Sequence, residues 1–290
     1  FMKKKLIFKP KICVVGGAGH VGLPLSIVFA SKGFPTLVYD LNETTLDRVR
    51  QGIVPFMEDG AEPLLKKVLR NGTLRLTADP KDIGEASVIV ITIGTPVDEF
   101  MNPDTKVMKE CIDNLLPYLR NGRLVILRST VYPGTTQWLN KYLASRGKKI
   151  KIAFCPERVV QGKAIEEVQR LPQMVSGTTP AAEEAAAKLF KGIAPHIVRL
   201  APMEAEFAKL FNNAYRYIQF GITNQFFMIA NSAGVDYGRI LDGMKKDYSR
   251  SRDIPGPGFA AGPCLLKDTM QLAAFSDTQF SLGHAAMTLN

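Results

Sequence analysis

Histidine is scarce in this chain: three residues in 290, at His20, His196 and His284. A catalytic triad built on imidazole therefore has little to draw on, and proton transfer falls to Lys, Asp, Glu or Cys. The four cysteines, Cys13, Cys111, Cys155 and Cys264, stand far apart, with no CxxC pair and no histidine partner. That spacing argues against a zinc site and against a disulfide framework, so no metal is expected and a reducing cytoplasm is the expected compartment. No apolar run approaches the roughly 20 residues a bilayer span requires, and "ASVIVITIG" is only strand-length. The opening "FMKKKLIFKPK" is basic but lacks the apolar stretch of an export signal. The expectation is a soluble, cytoplasmic protein with no membrane partner.

What is present points to a folded α/β protein. With 46% apolar residues the chain is long enough for two domains. The net charge of +10 would suit nucleic acid. The lysines, however, fall in separate groups ("KKK" at 3, "KK" at 66, "KKIK" at 148) without interleaved aromatics, so an anionic small molecule is expected rather than nucleic acid. Short β-branched runs alternate with longer helical patterns: "KICVVGG", "PTLVYD", "ASVIVITIG", "RLVILRST", "IKIAFCPE", "QMVSG" and "HIVRL". Such alternation predicts a Rossmann-type, mostly parallel sheet covered by helices, over residues 1–199. From residue 200 the pattern changes. Phe207, Leu210, Phe211, Ala214, Ile218, Ile222 and Ile229 recur at helical spacing until Gly234, which predicts one long helix followed by an all-helical region, 200–290, with a Gly/Pro loop at 255–263. The chain stops at "SLGHAAMTLN" without a helix stop signal, so it is expected to continue.

In "KICVVGGAGHVGLPLSIVFASKGFPTLVYDLN", Gly17, Gly19 and Gly22 follow a strand and open a helix, and Asp40 closes the next strand. The three glycines alone are a weak signal, but in this setting each part has a task. Glycines let the backbone approach a pyrophosphate, the helix N-terminus offers unpaired N–H groups, and Asp40 accepts from ribose hydroxyls. Asp40 would repel a 2′-phosphate, so NAD is expected rather than NADP. An extra glycine, Gly16, precedes the motif.

Four further groups stand out. Lys209 and Asn213 sit at i and i+4 on the long helix with Glu206 one turn earlier, placing all three near one face. Such a pair either holds an oxygen that gains charge during hydride transfer or is a solvated surface pair. Thr130 and Glu157 follow predicted strands, where they are either crevice residues or helix caps. Cys155 lies within an apolar strand and reads as a buried small residue. Cys264, in the irregular "GFAAGPCLLKD" with Lys267 three residues on, is either a small core residue or a nucleophile.

Together, "GAGHVGLPL", "RSTVYPGTT", "FCPERVVQGKA", "EFAKLFNNAYR" and "GPGFAAGPCLLKD" resemble, in order from residue 10 to the end, the UDP-glucose/GDP-mannose dehydrogenase family. The resemblance implies an NAD-binding domain, a central helical domain that forms a homodimer through the long helix, and a C-terminal nucleotide-sugar-binding domain missing from this chain. It implies NAD-dependent, four-electron oxidation of a sugar C6 hydroxyl to the uronate, in the biosynthesis of a polysaccharide. Cys264 would be the nucleophile, passing through a thiohemiacetal and a thioester. Lys209 and Asn213 would hold the reacting oxygen, Asp268 would tune that cluster, and Thr130 and Glu157 would position and activate water. On the cofactor side the resemblance implies Gly17, Gly19, His20, Val21, Gly22, Asp40, Thr95, Pro96, Thr130 and Lys267. On the UDP-sugar side it implies Glu157, Arg158, Lys209, Asn213, Gly258 and Cys264. Glucose-specific members resemble "PEFLxE", whereas this chain has "PERVVQ" with Gln161 in place of the second carboxylate, closer to the subgroup acting on UDP-N-acetylmannosamine or UDP-N-acetylglucosamine. The expected substrate is therefore a UDP-N-acetylhexosamine, UDP-N-acetylmannosamine first. UDP-glucose, a two-electron β-hydroxyacid oxidation that needs no cysteine, and a non-catalytic NAD-binding dimerisation module remain the alternatives.

Overall fold

The computed structural model describes residues 8–9, 11–94, 106–259, 263–276 and 279–290. Eight strands form one sheet: β1 (Ile12–Val15), β2 (Thr36–Tyr39), β3 (Leu74–Thr77), β4 (Val88–Ile91), β5 (Leu124–Leu127), β6 (Lys151–Phe154), β7 (Gln173–Gly177) and β8 (Ile197–Arg199). Their order across the sheet is β3-β2-β1-β4-β5-β6-β7-β8. All neighbours pair in parallel except β6 and β7. The predicted mostly parallel sheet is therefore present. One strand, β3, escapes the sequence reading because "LRLT" is short and places an arginine among its apolar residues. It forms the sheet edge beside β2, where only one neighbour supports it.

Between the strands run α1 (Gly22–Ser31), α2 (Glu43–Arg50), α3 (Ala61–Arg70), α4 (Lys106–Leu115), α5 (Thr135–Ser145), α6 (Ala164–Arg170) and α7 (Pro180–Phe190). Helices on both faces explain why the central strands read as unbroken apolar runs. In β1, Ile12 and Val14 enter one core with α1, α3 and α7, while Cys13 and Val15 enter the other with α4 and α5. Helix α1 is apolar all round ("GLPLSIVFA") and is buried from Gly22 to Ala30.

After β8 come α8 (Pro202–Ser232), α9 (Tyr237–Lys245), α10 (Pro263–Ser276) and α11 (Ser281–Leu289). The 31-residue α8 is the long helix expected. Two compact units result, one ending at Glu206 and the other running from Phe207 to Asn290. Among the described residues no helix is long and apolar enough to cross a membrane. Cys264, expected in irregular chain, is instead the second residue of α10, because Pro263 starts the helix at the position where a missing N–H costs nothing.

Glu206, on the same helix as Lys209 and Asn213, has a structural partner of its own. Its buried carboxylate accepts hydrogen bonds from Gly134 N (2.6 Å), Thr136 N (2.8 Å) and the Thr136 hydroxyl (2.5 Å). No side chain of the Gly134 cap position bonds to α5, so Glu206 supplies the anion its N-terminus favours. Replacing it leaves three donors unmatched, the two on Thr136 buried. We expect Glu206→Ala to destabilise the first unit by about 2–3 kcal/mol, and Glu206→Gln by less. Urea unfolding followed by the fluorescence of Trp138, the single tryptophan and part of α5, measures both.

Candidate active site

The dinucleotide end of the first unit lies where β1 and β4 stand side by side although their connections run to opposite sides, the place where open α/β sheets form a ligand crevice. The turn 16–22 leaves β1 and enters α1. Gly16 has φ +70°, and a Cβ on Gly17 would lie 2.5 Å from Val14 O. A Cβ on Gly22 would lie 2.6 Å from Gly16 O and 2.7 Å from the Thr92 hydroxyl, so α1 can pack this tightly only with glycine there. Gly19 is under no such pressure, since a Cβ would meet Gly16 O at 3.5 Å. Thr92, at the end of β4, donates to Val15 O (2.8 Å) and Gly16 O (3.1 Å) and pins the turn. Val21 is the cap position of α1 and supplies no side-chain cap, while Leu23 N in the first turn donates to Gly19 O (2.9 Å).

Asp40 follows β2. One of its oxygens accepts from Ala18 N (3.0 Å) and the other from Asn42 N (3.1 Å). Each oxygen has two lone pairs, so the carboxylate both orients the turn and keeps acceptor capacity for ribose hydroxyls. His20 packs its ring on Phe56. The cradle fits a dinucleotide: glycines where a Cβ would block approach, an uncapped helix start, and an acidic residue at the next strand end. Thr95 and Pro96 lie outside the described residues.

Beyond β5 and β6, Ser129 donates to Ile93 O (2.5 Å), and Thr130 follows it. Glu157 is buried. Its Oε2 pairs with Arg128 Nη2 at 2.5 Å, and its Oε1 accepts from Arg158 N (2.7 Å) and Val159 N (3.0 Å). Arg128, 1% exposed, also donates to Cys155 O (3.0 Å) and Gln173 Oε1 (2.5 Å), with its guanidinium over Phe190. The sequence reading missed this arginine, although a charged residue closing the apolar run "LVIL" is its signal. The Arg158 guanidinium donates to Pro172 O, and burial, with Arg128 beside it, pushes its pKa below the usual range.

The second unit holds the other cluster. Asn213 Nδ2 on α8 donates to Asp268 Oδ2 on α10 at 2.5 Å. Asp268 is 1% exposed, and Lys267 Nζ stands 3.7 Å from its other oxygen. Burial holds the Asp268 carboxyl above the usual carboxylate range, against the pull of Lys267, Lys209 and the Asn213 hydrogen bond. Cys264, Lys267 and Asp268 are spaced i, i+3, i+4 on α10 and so share a face, and Cys264 is exposed. The other thiols are not available. Cys13 is buried, and burial pushes Cys155 up to about 12 and Cys111 up to about 11. Gly258, at φ +146°, is gripped by Asn224, which accepts from its N–H (2.8 Å) and donates to its carbonyl (2.9 Å). Among the described residues no group of His, Cys, Asp and Glu could hold a metal ion.

Residues 10–194 match the NAD binding domain, and residues 203–290 the central domain, of the UDP-glucose/GDP-mannose dehydrogenase family. The chain belongs to that family. Among its relatives, the UDP-N-acetyl-D-mannosamine dehydrogenase of Methanocaldococcus jannaschii is 30% identical over 262 residues, 89% of this chain and 60% of the relative. The NDP-N-acetyl-D-galactosaminuronic acid dehydrogenase of Ralstonia nicotianae is 28% identical over 267 residues, 88% of this chain and 62% of the relative. The solved UDP-D-ManNAc dehydrogenase of Pyrococcus horikoshii is 28% identical and superposes with a TM-score of 0.90 over 96% of this chain and 68% of that one. This chain of the UDP-glucose/GDP-mannose dehydrogenase family thus spans about 60% of the length of its curated relatives. Its first unit is the family's NAD binding domain, and NAD is its cofactor.

The raised Asp268 carboxyl has a consequence for stability. In the folded chain it holds its proton to higher pH than in the unfolded chain, so between the two values folding takes up a proton and stability falls as pH rises. Asp268→Asn carries no charge to bury and lacks this dependence. Differential scanning calorimetry from pH 4 to pH 7 should find wild type losing ground to the variant as pH rises.

Proposed function

We propose that this protein oxidises the C6 hydroxyl of a UDP-N-acetylhexosamine, UDP-N-acetylmannosamine first, to the uronate. The observation that carries the reading is the α8–α10 cluster: an exposed cysteine on the same helical face as a buried carboxylate that binds Asn213 and draws two lysines. Its support from relatives is that several named for N-acetylated sugars align over nearly all of this chain.

Held at the turn 16–22 and Asp40, NAD supplies a two-electron acceptor, needed twice per sugar. Lys209 and Asn213 hold the reacting oxygen and stabilise the negative charge it gains. At the aldehyde stage the Cys264 thiolate adds to C6, and the resulting thiohemiacetal is a tetrahedral alcohol that can be oxidised again. The product of that second oxidation is a thioester, which water hydrolyses to the carboxylate and free Cys264. Asp268 fixes the Asn213 carboxamide and sets the charge balance of the two lysines. Thr130 and Glu157 take the water-positioning role, with Glu157 acting as an acceptor anchored by Arg128. Arg158, Lys267 and Gly258 contribute contacts to substrate or cofactor.

Turnover with NAD and a panel of UDP-sugars tests this directly. Two NADH per sugar are expected, and a ratio of one would overturn the four-electron chemistry. Cys264→Ala should lose at least about a thousandfold in uronate formation. Full activity in that variant would instead favour a two-electron hydroxyacid dehydrogenase. NAD binding without UDP-sugar binding or turnover would favour a non-catalytic module.

We also propose that a second copy of the chain covers α8. This helix exposes Phe211, Tyr215, Ile222, Phe226, Met228 and Ile229, an apolar surface unusual for a monomer. Beside it, Phe207, Phe211, Tyr215, Leu272 and Phe275 line an open cavity of about 590 Å³. Sedimentation equilibrium should find a homodimer in wild type and a monomer in a Phe226→Glu, Ile229→Lys variant. A monomeric wild type would refute it.

A further inference from the structure

The loop 53–60, between α2 and α3, has no part in the chemistry above, yet it buries a carboxylate. Glu58 is 8% exposed. Its Oε2 accepts from Gly162 N (3.1 Å) and its Oε1 from Ile165 N (3.0 Å), residues more than a hundred positions away. Asp59 N in turn donates to Gly162 O (2.9 Å). Both peptide groups of Gly162, a residue in the left-handed region at φ +90°, are thus taken up by two consecutive loop residues. Two positions earlier the same loop places the Phe56 ring on His20, with centroids 4.0 Å apart and planes tilted by 34°. His20 lies inside the dinucleotide turn, and Phe56 and Val159 both pack on the core beneath α1. One short loop therefore grips the segment 158–165 at one point and the dinucleotide turn at another.

We propose that Phe56 and Glu58 are positioning residues for NAD. Glu58 fixes the loop to Gly162 and Ile165, and the fixed loop holds Phe56 against His20, which sets the shape of the turn 16–22. The chemistry of the anchor suits this. A carboxylate offers acceptors on both oxygens, and each meets a backbone N–H. Glutamine has the same size but would turn an NH2 group toward one of those N–H donors, which loosens the loop without leaving a void. The inference rests on NAD occupying that turn, and wild-type binding is its control.

Calorimetric NAD titrations of wild type, Phe56→Ala, Glu58→Gln and the double variant decide it. Each single change is expected to weaken NAD binding about three- to tenfold, the range of one aromatic contact. Because Glu58 acts through Phe56, the double variant should bind no worse than the weaker single one. Unchanged affinity in Glu58→Gln, or effects that multiply in the double variant, would overturn the proposal. A wild type that fails to bind NAD would instead sink the cofactor reading. Should Glu58→Gln not fold, Phe56→Tyr and Phe56→Leu answer the same question: the ring-keeping tyrosine should bind NAD like wild type and leucine should not. Equal affinity for the two would overturn it.

Discussion

The first unit depends on one close approach, the packing of the first residue of α1 against the turn that leaves β1. Gly22 sits so near Gly16 O, the Gly17 backbone and the Thr92 hydroxyl that any Cβ would overlap them. This contact aims the start of α1 at the crevice between β1 and β4, and it lets the backbone itself form the binding surface. The surroundings reinforce it from several directions. Thr92 ties the turn to β4, Asp40 ties it to β2 through Ala18 N, and Phe56 rests on His20. A turn held from three sides is preorganised, so little ordering remains for the moment of binding.

Buried carboxylates are the second recurring device, and their partners separate structure from chemistry. Glu58 and Glu206 meet N–H donors or a hydroxyl. Such an environment compensates the charge and fixes backbone, in one case at the start of α6 and in the other at the start of α5. Glu157 meets a buried arginine as well, and its Arg128 partner reaches Gln173 on β7, so the ion pair links the ends of β5, β6 and β7. Asp268 is different. It is bound by a carboxamide, one of its lysines stands at 3.7 Å, and burial dominates its titration. A carboxyl so placed is costly to keep ionised, and a fold retains such a group where its charge acts on neighbours rather than on stability.

What could be read in the sequence was what is local. The strand–glycine–helix–strand–Asp40 order lies within thirty residues, and the long helix α8 announces itself by its periodic apolar residues. The alternation of strands and helices likewise carries the sheet, though not the edge strand β3, whose four residues depend on β2 for their conformation. Glycine and proline ahead of Cys264 suggest irregular chain, whereas Pro263 marks the boundary at which the helix begins. Contacts across long separations left no such trace. Nothing in "EFAKLFNN" says that Glu206 turns to a helix start seventy residues earlier, and nothing in "PFMEDG" says that Glu58 meets Gly162. The Arg128–Glu157 pair was half legible, as two charged residues each ending an apolar run, but their mutual contact belongs to the sheet order rather than to either segment. The family resemblance supplied roles for Lys209, Asn213 and Asp268 that spacing alone left open.

The distribution of cysteine follows from the same physics. A buried thiol is a small apolar residue, and burial makes its ionisation harder, as Cys155 after β6 and Cys111 on α4 show. Cys264 instead lies at the second position of α10 with its side chain exposed, on the face that carries Lys267. On the proposed reading, a site that oxidises one carbon twice needs a nucleophile to turn the aldehyde into something that can lose a second hydride. Of the four cysteines, Cys264 is the exposed one, and the proposed reading assigns it that part.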